Sequence, residues 1–308
     1  VSMGMEVVLV GPLPTPALPM LIKSLRADMG VMITASHNTY EYNGLKFFDS
    51  QGNKISKDLE NKIEKIISNK KIYNKISQLD HHSGKALRLE GAQGRYLEYL
   101  KSTLNKENNI KKFKIVLDCG NGATYSVAPT LFWELGCNVT TINDRPDGKN
   151  INKKCGAVDI SQLSKKILKI KADIGFAFDG DGDRIISVDE KGNQIDGDKI
   201  MSLFAKYFLK SGLLKKKTVV TTVMSNLGLE NYLKNILGIK LIRTNVGDVN
   251  VISKMQENSY TLGGEQSGHI ILGNYLKTGD GILAALKIIE IMSSVKMKAS
   301  KLFDLYKQ

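Results

Sequence analysis

A chain of 308 residues, 42% hydrophobic and 24% charged, has apolar material for two or three domain-sized cores. Its net charge of +13 permits acidic partners, but the lysines lie in Ile- and Asn-rich runs such as 62–75, 106–114 and 206–217. They lack the interleaved aromatics of a single-strand binder, so the charge reads as a solvated surface that draws in anionic small molecules, with neither nucleic acid nor membrane as partner. Cys119, Cys137 and Cys155 form neither a C-x-x-C pair nor an even disulfide set, which points to a reducing, cytoplasmic setting and to small buried side chains.

Segment 1–22 is apolar, carries prolines at 12, 14, 16 and 19 and lacks a basic leader. It reads as a strand and a helix rather than a signal peptide, and its opening on Val rather than Met predicts that something precedes it. One pattern then occurs three times along the chain: strand, Gly- or Pro-containing turn, amphipathic helix, second strand. The first copy is 7–10, 15–28 and 31–34. The second is 115–118, 124–135 and 137–142, with Gly120-Asn121-Gly122 at the turn. The third is 219–223, 227–237 and 239–243, with Ser225-Asn226 at the turn. Each predicts a βαβ unit, and three separated copies predict three similar mixed α/β/α domains. A lysine-rich helix over 57–80, a linker at His81-His82-Ser83-Gly84, a helix over 91–105 and a turn at Lys191-Gly192-Asn193 set boundaries. The predicted domains are 1–85, 86–192 and 193–308.

Three loops carry chemistry. The first runs from Thr34 to Phe48, at the carboxyl end of a strand, where open α/β sheets place ligands. Ser36 is a candidate nucleophile, provided a base, metal or positive environment activates it. His37 is adjacent, but neighbours in an extended chain point apart, which argues against a Ser36–His37 dyad. Lys46 is placed as an acid or base; the plain alternative for the whole loop is a polar turn. The second loop, Asp179-Gly180-Asp181-Gly182-Asp183-Arg184, lies between strands at 174–178 and 185–188. Three carboxylates separated by single glycines repel one another unless a cation joins them, and an all-oxygen set favours Mg²⁺ or another hard cation. An EF-hand also places acids at positions 1, 3 and 5, with Glu190 at position 12. However, Arg184 stands where that loop needs glycine, and the flanks read as strands. Arg184 suits bidentate phosphate contact instead.

The third loop is Gly263-Gly264-Glu265-Gln266-Ser267-Gly268-His269. Alternation lets Glu265 and Ser267 face one side and hold neighbouring sugar hydroxyls, with a plain glycine-rich hairpin as the alternative. Ser267 lacks the G-x-S-x-G of a hydrolase elbow. The turn at Asn245-Val246-Gly247-Asp248 is a weaker candidate. Thr278 or Asp280 reads as the cap of a helix over 281–294.

In this order the loops Thr34–Asn38 with Gly44-Leu45-Lys46, Asp179–Arg184 and Gly264–His269 resemble the phosphoserine, metal and sugar-recognition motifs of the α-D-phosphohexomutase family. The variant Glu265-Gln266-Ser267-Gly268, together with Thr278-Gly279-Asp280-Gly281 and Gly11-Pro12-Leu13-Pro14-Thr15-Pro16, looks like its bacterial amino-sugar members. The resemblance implies domains I–III of that fold, with the first incomplete. It implies that Ser36 carries phosphate and that one Mg²⁺ is held by Asp179, Asp181, Asp183 and a phosphate oxygen. It further implies that Arg184 orients phosphate, that Lys46 or His37 moves the proton, and that Glu265, Ser267 and Asp248 contact the sugar. The implied reaction interconverts glucosamine 6-phosphate and glucosamine 1-phosphate through a sugar 1,6-bisphosphate that is both intermediate and activator, on the route to cell-wall precursors.

Alternatives under the same resemblance are mannose or glucose specificity, or a remnant that binds Mg²⁺ or phosphosugar without turnover. Departures are Thr39 in place of the usual proline, and Val249-Asn250 in place of Arg-Tyr. Relatives in this family also carry an earlier strand with an active-site arginine and a later phosphate-binding domain. The chain is therefore expected to be truncated, to act as a homodimer, or to need a partner chain that supplies the missing part.

Overall fold

The computed structural model describes residues 1, 3–77, 83–105 and 110–307. The expected linker residues His81 and His82 lie outside the described residues, as does the end of the predicted 57–80 helix.

The N-terminal unit holds β1 (Val7–Leu9), α1 (Ala17–Leu25), β2 (Met29–Ile33), β3 (Leu45–Asp49), α2 (Lys57–Ser68), α3 (Lys70–Ser77) and β4 (Ala86–Arg88). β1, α1 and β2 are those the sequence predicts, whereas it predicts neither β3 nor β4, the single helix expected over 57–80 is broken at Asn69 into α2 and α3, and the pairing differs. Among the described residues β1 pairs in parallel with β4, and β2 pairs antiparallel with β3, so the unit holds two separate two-stranded ribbons. β1 and β2 do not close a βαβ sheet. α1 buries Leu18 and Ile22 against Phe48 of β3, and its opposite side, Ala17 and Leu21, joins the main core.

The middle unit contains α4 (Ala92–Ser102), β5 (Lys114–Asp118), α5 (Thr124–Glu134), β6 (Asn138–Ile142), α6 (Ser161–Ile170), β7 (Ile174–Phe178), β8 (Ile185–Asp189) and β9 (Gln194–Ile195). Here the predicted βαβ closes: β5 and β6 are parallel, and the sheet order is β6-β5-β7-β8-β9. The turn at 191–193 lies inside the β8–β9 hairpin, so this sheet runs to Ile195. β7 and β8 are buried at every position, as strands covered on both faces must be. Leu163 and Ile167 of α6 cover Val116, Ala177 and Val188 on one face. The other face places Ile115, Leu117, Phe176 and Phe178 in a core shared with all three units.

The third unit holds α7 (Gly197–Lys210), β10 (Thr218–Thr222), α8 (Leu227–Asn231, continued by a π turn over Tyr232–Ile236), β11 (Lys240–Thr244), α9 (Asp248–Asn258), β12 (Leu262–Gly264), β13 (Ile270–Leu272), α10 (Gly281–Val295) and α11 (Ala299–Leu302). Its sheet order is β11-β10-β12-β13, with β10 and β11 forming the third predicted βαβ. α10 is apolar almost all round, and accordingly it is buried almost all round. It packs on β13 of its own sheet and reaches across to β7 and β8 of the middle unit. Asp280 caps it by accepting from the Leu283 N–H (2.9 Å), the role predicted for Thr278 or Asp280. Among the described residues no helix is long and apolar enough to cross a membrane.

Candidate active site

The tight β7–β8 connection turns Asp179, Asp181 and Asp183 toward one point. Each offers a carboxylate oxygen within 4.8 Å of the others, and all three are buried. The flanks are strands, and Glu190 is occupied elsewhere, accepting from the Ser300 backbone and hydroxyl. This is not an EF-hand.

The carboxylates are only partly compensated. Asp181 accepts from the Thr15 hydroxyl (2.7 Å) and from Lys46 Nζ (2.6 Å), and Asp183 accepts from the same Nζ at 2.9 Å. Asp181 Oδ1 and Asp183 Oδ1 are buried without a hydrogen-bond partner. Orphaned carboxylate oxygens in a dry site are costly. A hard cation answers that cost, and the all-oxygen donor set fits one.

The charges respond to one another. Burial, with Asp183 and Asp181 beside it, pushes Asp179 well above the carboxylate range. Burial acts the same way on Asp183, but His269 and Lys46 outweigh it and hold Asp183 well below that range. Burial alone would lower Lys46. Asp183 and Asp181 overcome this and keep its ammonium far above its ordinary pKa.

The serine loop meets this cluster. Ser36 Oγ donates to Asp179 Oδ2 at 3.1 Å. Ser36 sits at φ +53°, in the left-handed region, with its N–H donated to Thr34 Oγ1 at 2.8 Å. His37 makes no pair with it. Its Nδ1 is buried and unpartnered, and burial and the Arg184 guanidinium lower its pKa. Arg184 donates its backbone N–H to Asp179 Oδ1 (3.1 Å), while its Nε is buried without a partner. Ser36, Lys46, Arg184 and the three aspartates are thus brought together, with His37 beside them.

The third-unit residues are arranged differently from the alternation the sequence suggested. Glu265 to Gly268 form a turn closed by the Gly268 N–H to the Glu265 carbonyl (3.0 Å). Glu265 is buried and accepts from the Gly247 N–H (3.1 Å), whereas Ser267 is exposed. Asp248, the first residue of α9, pairs with Lys54, and burial is outweighed by His269 and Lys54 to lower its pKa. His269 lies between two acids, with Nδ1 at 3.5 Å from Asp183 and Nε2 at 3.8 Å from Asp248.

Four residues of this site carried no functional signal in the sequence alone. Thr15 lies in the proline-rich stretch 11–16 and His269 in the loop 263–269, but the sequence gives neither a role. Lys54 is one of many lysines, and Asn152, which contacts the serine loop, follows no periodicity.

The chain matches the models of phosphoglucomutase/phosphomannomutase alpha/beta/alpha domain I over residues 1–74, domain II over 94–192 and domain III over 196–308. It is 51% identical over 301 residues to the phosphoglucosamine mutase of Thermodesulfovibrio yellowstonii, covering 98% of this chain and 66% of that protein. It is 50% identical over 305 residues to the phosphoglucosamine mutase of Zymomonas mobilis, covering 99% and 67%. The chain therefore spans about two thirds of the length of the curated relatives it matches. A phosphoglucomutase/phosphomannomutase family protein of Burkholderia thailandensis superposes with TM-score 0.82 at 26% identity, over 99% of this chain and 66% of that one. The N-acetylphosphoglucosamine mutase of Aspergillus fumigatus, solved with GlcNAc-6P and magnesium, shares the fold with TM-score 0.63 at 17% identity, over 96% and 77%.

Proposed function

The chain belongs to the phosphoglucomutase/phosphomannomutase family, and from that premise we propose that it carries the phosphoserine half of a glucosamine 6-phosphate to glucosamine 1-phosphate mutase reaction. The observation that carries the reading is the Ser36 hydroxyl resting on Asp179 at the rim of the buried aspartate cluster. Half identity to phosphoglucosamine mutases along nearly the whole chain supports the sugar class.

In this reading Asp179, Asp181 and Asp183 hold Mg²⁺, which disperses charge on the phosphoryl group when bound. Ser36 Oγ carries the phosphate. Its P–O bond breaks as a new P–O bond forms to a sugar hydroxyl, and the hydroxyl proton passes to a base. We take His37 as that base because its Nδ1 is buried with no partner, whereas Lys46 Nζ already donates to Asp181 and Asp183. Lys46 and Arg184 act as fixed positive charge beside the transferring group. Glu265, Ser267 and Asp248 receive the sugar, with Glu265 oriented by the Gly247 N–H. The 1,6-bisphosphate formed turns over and returns its other phosphate to Ser36. We assign the serine loop to the first unit, the metal loop to the middle unit and the sugar loop to the third, with the predicted boundaries at 85 and 192 moved past β4 and β9, to follow Arg88 and Ile195.

The test is intact-mass analysis after incubation with Mg²⁺ and the 1,6-bisphosphate of glucosamine, glucose or mannose. One phosphate should be added, fastest from the glucosamine compound. Folded protein that takes none from any of them overturns phosphoryl transfer. Faster uptake from glucose or mannose overturns the sugar assignment.

A further inference from the structure

We propose that Asn152 is a positioning residue for the phosphate-carrying serine, an inference that rests on the reading of Ser36 just given. Asn152 belongs to the loop that follows β6 in the middle unit, and only 3% of it is exposed. Its Nδ2 donates both protons across the unit boundary, to the carbonyl oxygens of Ser36 (2.9 Å) and Asn38 (2.8 Å). Its own N–H donates to the Gly120 carbonyl (2.9 Å), which ties it to the turn after β5. Its Oδ1 is buried with no partner. The side chain is therefore committed as a donor and uses none of its accepting capacity.

The two bonds fall where the serine loop needs them. Ser36 is in the left-handed region, which a residue bearing a Cβ adopts only when its surroundings hold it there. Thr34 Oγ1 fixes its N–H, and Asn152 fixes its carbonyl. With both sides of the residue held, Oγ is aimed at Asp179. The acid loop closes the same junction. A Cβ on Gly180 would stand 2.7 Å from both Asn152 Nδ2 and the Ser36 carbonyl, so glycine there lets the three segments meet. Asn152 makes no hydrogen bond to the Ser36 hydroxyl or to an aspartate of the acid loop. It acts through the backbone of the serine loop.

Asparagine and aspartate have nearly the same shape, but a carboxylate donates nothing and would face two carbonyl oxygens. On this full chain Asn152→Asp is the test of donation, with Asn152→Ala beside it, because Asn152 itself sits at φ +55°, where aspartate is tolerated and alanine adds backbone strain. Two quantities are measured. One is phosphate uptake from glucose 1,6-bisphosphate with Mg²⁺, resolved into saturating rate and half-saturating concentration. The other is amide hydrogen exchange over 34–39, with 174–178 as the internal reference.

The saturating rate should fall about 30-fold in Asn152→Ala, and at least as far in Asn152→Asp, with half-saturation unchanged within about threefold, as displacement of a reacting group predicts. Exchange over 34–39 should rise about tenfold while 174–178 stays as in the wild type. An Asn152→Asp variant that matches the wild type in both quantities overturns the proposal, because shape alone then suffices. Unchanged exchange in both variants overturns it as well. If wild type itself takes up no phosphate, the exchange result still decides: faster exchange upholds the positioning role, and it is the phosphoserine reading that falls.

Discussion

The two halves of the candidate site are built by different physics. The acid loop joins β7 and β8, whose residues are all buried, under α6 on one face and α10 on the other. The serine loop joins β2 and β3, a lone two-stranded ribbon in which only Gly30 and Phe48 are buried. Apolar packing places the aspartates. Polar bridges to other units place the serine: Asn152 reaches its backbone and Asp179 its hydroxyl, while Lys46 and Lys54 reach out from the adjoining strand and turn to Asp181, Asp183 and Asp248. Carboxylates that must stay close despite repulsion need a stiff frame. If Ser36 passes phosphate as proposed, many small contacts suit it better than one core.

The sharpest way to break this contrast is to remove the reagent and leave the frame. Ser36→Ala should abolish phosphate uptake, with no added phosphate by intact mass, while the melting temperature moves by only a degree or two, because one weak hydrogen bond is worth about 1 kcal/mol. Uptake that survives moves the nucleophile elsewhere. Asp181→Asn acts on the frame's charge and not on its packing. Uptake should fall about 100-fold, and the rise in melting temperature produced by millimolar Mg²⁺ should shrink to less than about half its wild-type size. A full Mg²⁺-induced shift in Asp181→Asn would remove that side chain from the cation's ligands.

The sequence disclosed the frame better than the arm. The buried runs 174–178 and 185–188 and the three aspartates between them are contiguous, so strand pattern and charge repulsion together were enough. In the first unit β1, α1 and β2 were legible, but β3, β4 and the pairing were not: β1 joins β4, far along the chain, rather than β2. The same distance hid the supporting residues. Thr15 meets Asp181 166 positions on, and Asn152 meets Ser36 116 positions back. Neither residue type carries a signal without its partner. The alternation expected of Glu265 and Ser267 fails for a local reason: a turn replaces the extended backbone on which it depends.

The frame holds its own titratable group, which gives the next largest effect. Asp280 caps α10, is buried, and accepts from Tyr96 of α4 (2.8 Å). Burial pushes its pKa up to about 6 from an ordinary value of 3.8. The folded protein therefore holds this proton more tightly than the unfolded chain, so the contribution is present below about pH 4 and is lost as pH rises from about 4 to 6. Integrated over that interval, the loss approaches about 3 kcal/mol. An asparagine in its place would cap equally well and cannot ionise. Denaturant unfolding without metal should therefore show Asp280→Asn gaining on wild type by up to about 3 kcal/mol between about pH 4 and pH 7. A pH-independent difference would mean that Asp280 ionises as freely folded as unfolded.

The smallest expected effect probes the arm. Lys54 follows β3 in the first unit and pairs with Asp248 at the start of α9, with 11% and 24% of the side chains exposed. Next to it, Asn53 Oδ1 accepts from Gln256 of the same helix (3.2 Å). Lys46 and Lys54 thus tie one ribbon to acids in two other units, and Asp248 in turn lies beside His269 and so near Asp183. If polar bridges place the arm, Lys54→Met and Asp248→Asn should each destabilise the chain, and the double variant should cost less than their sum, with a coupling of about 1 kcal/mol for a pair this sheltered. The coupling should shrink in about 1 M salt far less than that of an open surface pair. In uptake assays both single variants should raise half-saturation by a few-fold and leave the saturating rate nearly intact, since the pair joins units beside the proposed sugar residue Asp248 and does not touch Ser36. Zero coupling with a fall in saturating rate would place Lys54 in the chemistry instead, and the division between a packed frame and a bridged arm would have to be redrawn through β3.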